Sequence, residues 1–251
     1  MKETKIMNVF NKYIKNFDMN KGNVKALYFH SLKMMELCKD IANNLGIFTE
    51  DEVVICGFIG LFHDIGAFSN RKKLTFLNNE GVDYSKKSVD IIFDSDKLIR
   101  KITDVSTYDD IIKVSIYCQN KNGLPNGLDE KMLHFCKVLK DAHALDNFRM
   151  VINYPYMDMQ IDNYPNSLVY DNFRQYRVIN NKISDNDADN ILEVLSQIFG
   201  MNYRWSFILL KQEEFVDKLI SSLKIKNKEI KKFFTQIGMV LNLYIDRKIA
   251  S

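Results

Sequence analysis

Apolar positions along this chain recur at helical spacing almost from end to end. Val24, Leu27, Tyr28, Met34, Met35, Cys38, Ile41, Ala42 and Leu45 follow the i, i+3, i+4 rule and predict one long helix, with Gly46 as its C-terminal stop. Thr49 and Glu52 have the spacing of a capping box and open the next helix, about 51–65, which is apolar almost all round and so is expected at the centre of the core. Gly57 and Gly60 within it would let neighbouring helices come close. Further helices are predicted at about 85–94, 108–119 and 130–149, with Thr107 and Asp129 as N-caps of the last two. After a segment at 153–166 rich in Asn, Asp, Tyr and Pro, helical period resumes at about 167–176, 187–199, 202–222 and 227–247. An N-terminal stripe of Ile6, Val9, Phe10, Tyr13, Ile14 and Phe17 predicts another helix, and docking on the domain's own core is preferred over a membrane surface. No stretch alternates apolar and polar long enough to require a strand, and Trp205 sits in an apolar run suited to a core role.

Composition narrows this to an all-α fold. Ten Gly and three Pro in 251 residues are too few for a turn-dense sandwich or barrel. The shift near residue 150 divides the chain into a first bundle, 1–150, and a helical extension, 151–251, expected to pack on it, with one continuous domain left open. A net charge of +3 without a basic aromatic stripe gives no reason to expect nucleic acid. Val53–Phe62, the most apolar stretch, is half the length a membrane span requires, so no membrane is expected. Cys38, Cys56, Cys118 and Cys136 lie far apart without a CxxC pair, which suits reduced, buried thiols in a cytoplasmic protein.

Candidate chemistry rests on four residues. His63 and Asp64 fall inside the apolar run, where an imidazole beside a carboxylate is costly unless something satisfies both. A hydrogen-bonded structural pair would do so, and so would a metal ion. His30 lies on the inward stripe of its helix. Asp141 shares a face with Val138, Leu145 and Phe148. Two imidazoles and two carboxylates drawn from three helices would satisfy one another through a divalent cation. His143 is two residues from Asp141 and is expected elsewhere on the helix, and His134 is about 10 Å from Asp141 along it.

His30, His63-Asp64 and Asp141 together resemble the H…HD…D pattern of the HD-domain metal-dependent phosphohydrolases. His63-Asp64-Ile65-Gly66 is similar to that family's His-Asp-Ile-Gly element. Asn120-Lys121, Gly123-Leu124-Pro125, Lys140–Asp146 and the segment Gln197–Leu210 are similar to an uncharacterised, bacterial-type branch with a helical C-terminal extension. The resemblance implies a helical bundle in which His30, His63, Asp64 and Asp141 hold a divalent ion (Mn, Mg, Fe, Co, Ni or Zn are not distinguished). It implies hydrolysis of a nucleotide-like phosphomonoester or phosphodiester, with His63 and Asp64 as catalytic residues. Lys121, Arg71, Gln119 and Tyr84 are the candidates for substrate contact. Tyr84 and Gln119 stand where that branch commonly has two further histidines, which argues for one ion rather than two. Ala67 and Ala144 replace residues that are often basic there. The competing expectation is an HD protein with impaired catalysis that binds a nucleotide or a protein partner, with a structural metal or none. The sequence leaves oligomerisation open.

Overall fold

The computed structural model describes residues 1–69, 83–119, 125–153, 161–179 and 183–251. The described residues form eleven α-helices joined by turns and short 3-10 segments, with no strand among them. They divide into two compact units, Met1–Ala142 and His143–Ser251, and the division falls inside the sixth helix.

In the first unit, α1 (Glu3–Ile14), α2 (Gly22–Leu45) and α3 (Glu50–Phe62) are followed by a 3-10 turn at Ile65–Ser69, α4 (Ser85–Phe93), a second 3-10 turn at Leu98–Lys101, α5 (Asp109–Cys118) and the start of α6 (Glu130–Asn153). The predicted stops and starts between α2 and α3 are realised. Gly46 is left-handed (φ 66°), and both hydrogen bonds of the Thr49–Glu52 capping box form. Asp129 caps α6 by accepting from the Met132 N–H at 2.7 Å.

Burial explains why α3 is apolar all round. Every residue from Ile55 to His63 is buried. Glu50–Ser69 even has the length and hydropathy of a membrane span, more than Val53–Phe62 alone suggests, but 83% of that window is buried inside the protein, which makes it a core element here. Close approach to α2 depends on Gly60: a Cβ there would lie 2.5 Å from the Met34 carbonyl oxygen and 2.9 Å from Cys38 Sγ. Gly57 is less constrained, because its Cβ would meet the side chain of Lys39, at Cγ and Cδ, rather than backbone. The buried face of α1 is Ile6, Phe10 and Ile14, and Phe10 packs on the rings of Tyr28, Phe62 and Phe68.

Thr107 does not cap α5. That helix starts one residue later, after Tyr108, without a side-chain cap. Arg100 organises this approach instead, donating to the carbonyls of Thr103 and Val105 and pairing with Asp109. All four cysteines are buried and none forms a disulfide.

The second unit holds α7 (Ser167–Arg174), α8 (Asp187–Ser196), a 3-10 turn at Gln197–Gly200, α9 (Arg204–Gln212), α10 (Phe215–Ser222) and α11 (Lys228–Ala250). The single helix expected at 202–222 is two helices, broken at Glu214, whose φ is 52°. Phase explains the break. Ser206, Phe207 and Leu210 are the buried face of α9, while Phe215, Val216 and Leu219 are that of α10. In one continuous helix these two sets would point about 180° apart. The left-handed residue brings both inward. Trp205 is half-buried. Buried Asp189 joins α7 to α8 by accepting from the N–H and side-chain amide of Asn166, both at 2.7 Å, and from the Asp185 N–H at 2.9 Å.

Candidate metal centre

His63 and Asp64 sit where α3 ends. His63 is still helical in backbone (φ −54°, ψ −36°) and closes the helix, and the chain then turns into the 3-10 segment Ile65–Ser69. Gly66 permits that turn to lie against α4. A Cβ at Gly66 would be 2.9 Å from Lys87 Cβ and from the Ser88 nitrogen, and its N–H donates to Ser88 Oγ at 3.0 Å. The glycine of the His-Asp-Ile-Gly element is therefore a packing requirement that fixes the pair just before it.

The end of α3 also sets the histidine's tautomer. His63 Nδ1 lies 2.7 Å from the Gly60 carbonyl oxygen. A carbonyl only accepts, so Nδ1 carries the proton and the neutral ring presents a lone pair at Nε2. That Nε2 is 3.1 Å from His30 Nε2 and 3.4 Å from Asp64 Oδ2, and His30 Nε2 is 3.8 Å from the same oxygen. Both imidazoles are buried, whereas Asp64 keeps 22% of its side chain exposed, which gives the cluster an opening. Ligands about 2.0–2.2 Å from one ion lie about 3–3.5 Å apart across a tetrahedral or octahedral edge, so the spacing and donor types fit a divalent cation.

A fourth donor comes from α6. The ligand atoms of His30, His63, Asp64 and His143 all lie within 4.8 Å of one another. Spacing had singled out Asp141 on this helix and directed His143 elsewhere. Asp141 is fully buried and is not among these four, although it lies near enough to Cys38 to add to the rise that burial imposes on that thiol's pKa. Along α6 the half-buried residues 137, 140, 143 and 147 form one stripe on which His143 lies, while Asp141 is on the buried side, as its spacing predicts.

Two neighbours hold the ligands. Gln119, at the C-terminal end of α5, donates from Nε2 to Asp64 Oδ1 at 2.9 Å and approaches the His63 carbonyl oxygen at 3.4 Å. Asn147, one turn after His143, donates from Nδ2 to Gln197 Oε1 at 3.1 Å, and the same nitrogen lies 3.3 Å from His143 Nδ1.

Of the other expected residues, Tyr84 is half-buried at the start of α4. Ala67 and Ala144 are buried, at 2% and 8% exposure. His134 is paired with Glu130 and lies against the Phe48 ring. Arg71 and Lys121 fall outside the described residues.

The imidazoles and the carboxylate gathered at the end of a buried helix form a group that could hold a metal ion. Residues 27–147 match the family model of the HD domain. This part of the chain, which carries His30, His63, Asp64 and His143, is an HD domain, a family of metal-dependent hydrolases. No curated protein and no solved structure matches the chain.

Proposed function

We propose that the protein is a phosphohydrolase that uses one divalent ion, held by His30, His63, Asp64 and His143, to cleave a nucleotide-like phosphomonoester or phosphodiester. The observation that carries this reading is the approach of four metal-binding side chains to within 4.8 Å of one another around a partly exposed carboxylate. Three imidazoles and one carboxylate suit Zn, Fe, Co, Ni or Mn better than Mg or Ca, which favour all-oxygen sites. A bound ion of this kind lowers the pKa of a water toward about 7 and stabilises charge on phosphoryl oxygens.

The protein's own contribution is orientation. The Gly60 carbonyl keeps the His63 proton on Nδ1. Asp64 Oδ2 faces the two histidines while Oδ1 is occupied by Gln119. The exposed fraction of Asp64 supports a role for this carboxylate in meeting substrate and accepting a proton from the attacking water. Asp141, buried on α6 two residues before the proposed ligand His143, completes the H…HD…D pattern and is a further candidate ligand.

The test is turnover of a panel of nucleotides and cyclic dinucleotides by the purified protein supplied with Mn²⁺, Co²⁺, Ni²⁺ or Zn²⁺. His63→Ala and Asp64→Ala are each expected to lower kcat by about 100-fold or more and to weaken ion binding. Wild-type activity in either variant rejects the proposal. A second reading, a binder without hydrolysis, draws support from Ala67 and Ala144: both are buried, so neither supplies the basic group that the branch often has there. It predicts a thermal shift with nucleotide and no product.

A further inference from the structure

Gln119 occupies an unusual position for a neutral side chain. Its Nε2 stands between two acceptors, Asp64 Oδ1 at 2.9 Å and the His63 carbonyl oxygen at 3.4 Å. Its Oε1 is buried and has no hydrogen-bond partner among the described residues. Turning the amide over would place an oxygen against a carboxylate and a carbonyl, which repel it, so the nitrogen must face Asp64. The side chain is thus held by its donor end, and held strongly enough to leave its acceptor end unsatisfied in a buried place.

From this we infer that Gln119 is a positioning residue for the metal centre. It occupies Oδ1 of Asp64, turns Oδ2 toward His30 and His63, and makes Asp64 a one-oxygen ligand. An aspartate that follows a ligating histidine in a turn has a freely rotating carboxyl group. Without a donor on Oδ1, either oxygen could face the histidines, or both could share one ion. The second contact, to the His63 carbonyl, ties the same amide to the backbone of the neighbouring ligand, so one glutamine sets the relative placement of both. The substitution that resemblance presents as the loss of a histidine is on this reading a replacement of one function by another: α5 supplies an orienting donor. The inference rests on the metal-binding reading above.

The experiment uses the full chain and Co²⁺ alone, with isothermal titration for affinity and the visible spectrum for coordination. Wild type is expected to take up one equivalent. Gln119→Met, of similar shape but without hydrogen bonds, is expected to bind about 10–100-fold more weakly and with an altered spectrum. Gln119→Asn, polar but too short to reach Oδ1, should behave the same way and serves if the first variant folds poorly. In an Asp64→Ala background, Gln119→Met should change affinity little further, because its effect passes through that carboxylate. Equal affinity of wild type and Gln119→Met, or an equal loss in both backgrounds, overturns the positioning role and leaves the metal site standing. A wild type that takes up no ion overturns both.

Discussion

Glu52 shows how much one side chain can be asked to do. Its carboxylate accepts from the Thr49 N–H in the capping box and pairs with Lys131 at the start of α6. Burial alone would raise its pKa, but the Lys131 ammonium and the Thr49 donors outweigh that and hold it below the ordinary 4.5. A depressed carboxylate pKa contributes stability above the unfolded value and loses it as pH falls through the folded one. Lys131→Met is therefore expected to cost about 1 kcal/mol near neutral pH, a modest figure because half of the lysine side chain is in water. The loss should shrink as pH falls through the lowered folded-state pKa of Glu52 and vanish once the carboxyl is protonated in both states. Denaturant titration near neutral and at acid pH checks it, and a pH-independent loss would mean that Lys131 acts through packing alone. The local half of this arrangement is legible in sequence, because the capping box spans three residues of one turn. The Lys131 half is not, since nothing local relates residues 52 and 131. The same contrast holds at the metal centre, where the His63-Asp64 dipeptide stands out in an apolar run and His143 does not.

The element that decides the site is α3 against α2. Their close packing sets His63, at the end of one, beside His30, in the middle of the other. Gly60 is the contact that allows it: an added Cβ would lie 2.5 Å from a backbone oxygen, which cannot rotate aside. Gly60→Ala is expected to destabilise the protein by about 1–3 kcal/mol, or more if the helices must separate. It should also weaken ion binding, because His30 and His63 would move apart. Gly57→Ala is the control, since its Cβ meets side-chain atoms of Lys39 (Cγ at 2.7 Å, Cδ at 2.8 Å) that can rotate, rather than backbone, and a helical alanine is otherwise favoured. Equal stability of the two variants by thermal denaturation would show that α2 can give way at Met34. At this scale the helices themselves were readable from period and caps. The break at Glu214 was not read, although its cause is in the sequence: the apolar positions of 206–210 and 215–219 are out of phase.

For the whole molecule, the division into Met1–Ala142 and His143–Ser251 leads to an expectation about where a bound ion is felt. Ligands bound only to the folded state stabilise it by about 2.7 kcal/mol at a hundredfold excess over Kd. Three of the four proposed ligands lie on α2 and at the end of α3. Hydrogen exchange with and without Co²⁺ should therefore show added protection in α2, α3 and the middle of α6, and little change in α9–α11. Uniform protection across both units would place the ion's effect elsewhere.

What the sequence determined by itself is whatever depends on near neighbours along the chain. Helical period, the Gly46 stop, the Thr49–Glu52 box and the anomaly of His63-Asp64 are all set within a turn or two, and they suffice for an all-α fold and a suspected metal. Tertiary structure decided which residues complete the centre. On α6 the spacing turns Asp141 inward, and only the tertiary structure brings a ligand atom of His143 within 4.8 Å of those of His30, His63 and Asp64. Only the placement of α5 turns Gln119 toward Asp64. Those placements come from packing over more than a hundred residues, which no local pattern records.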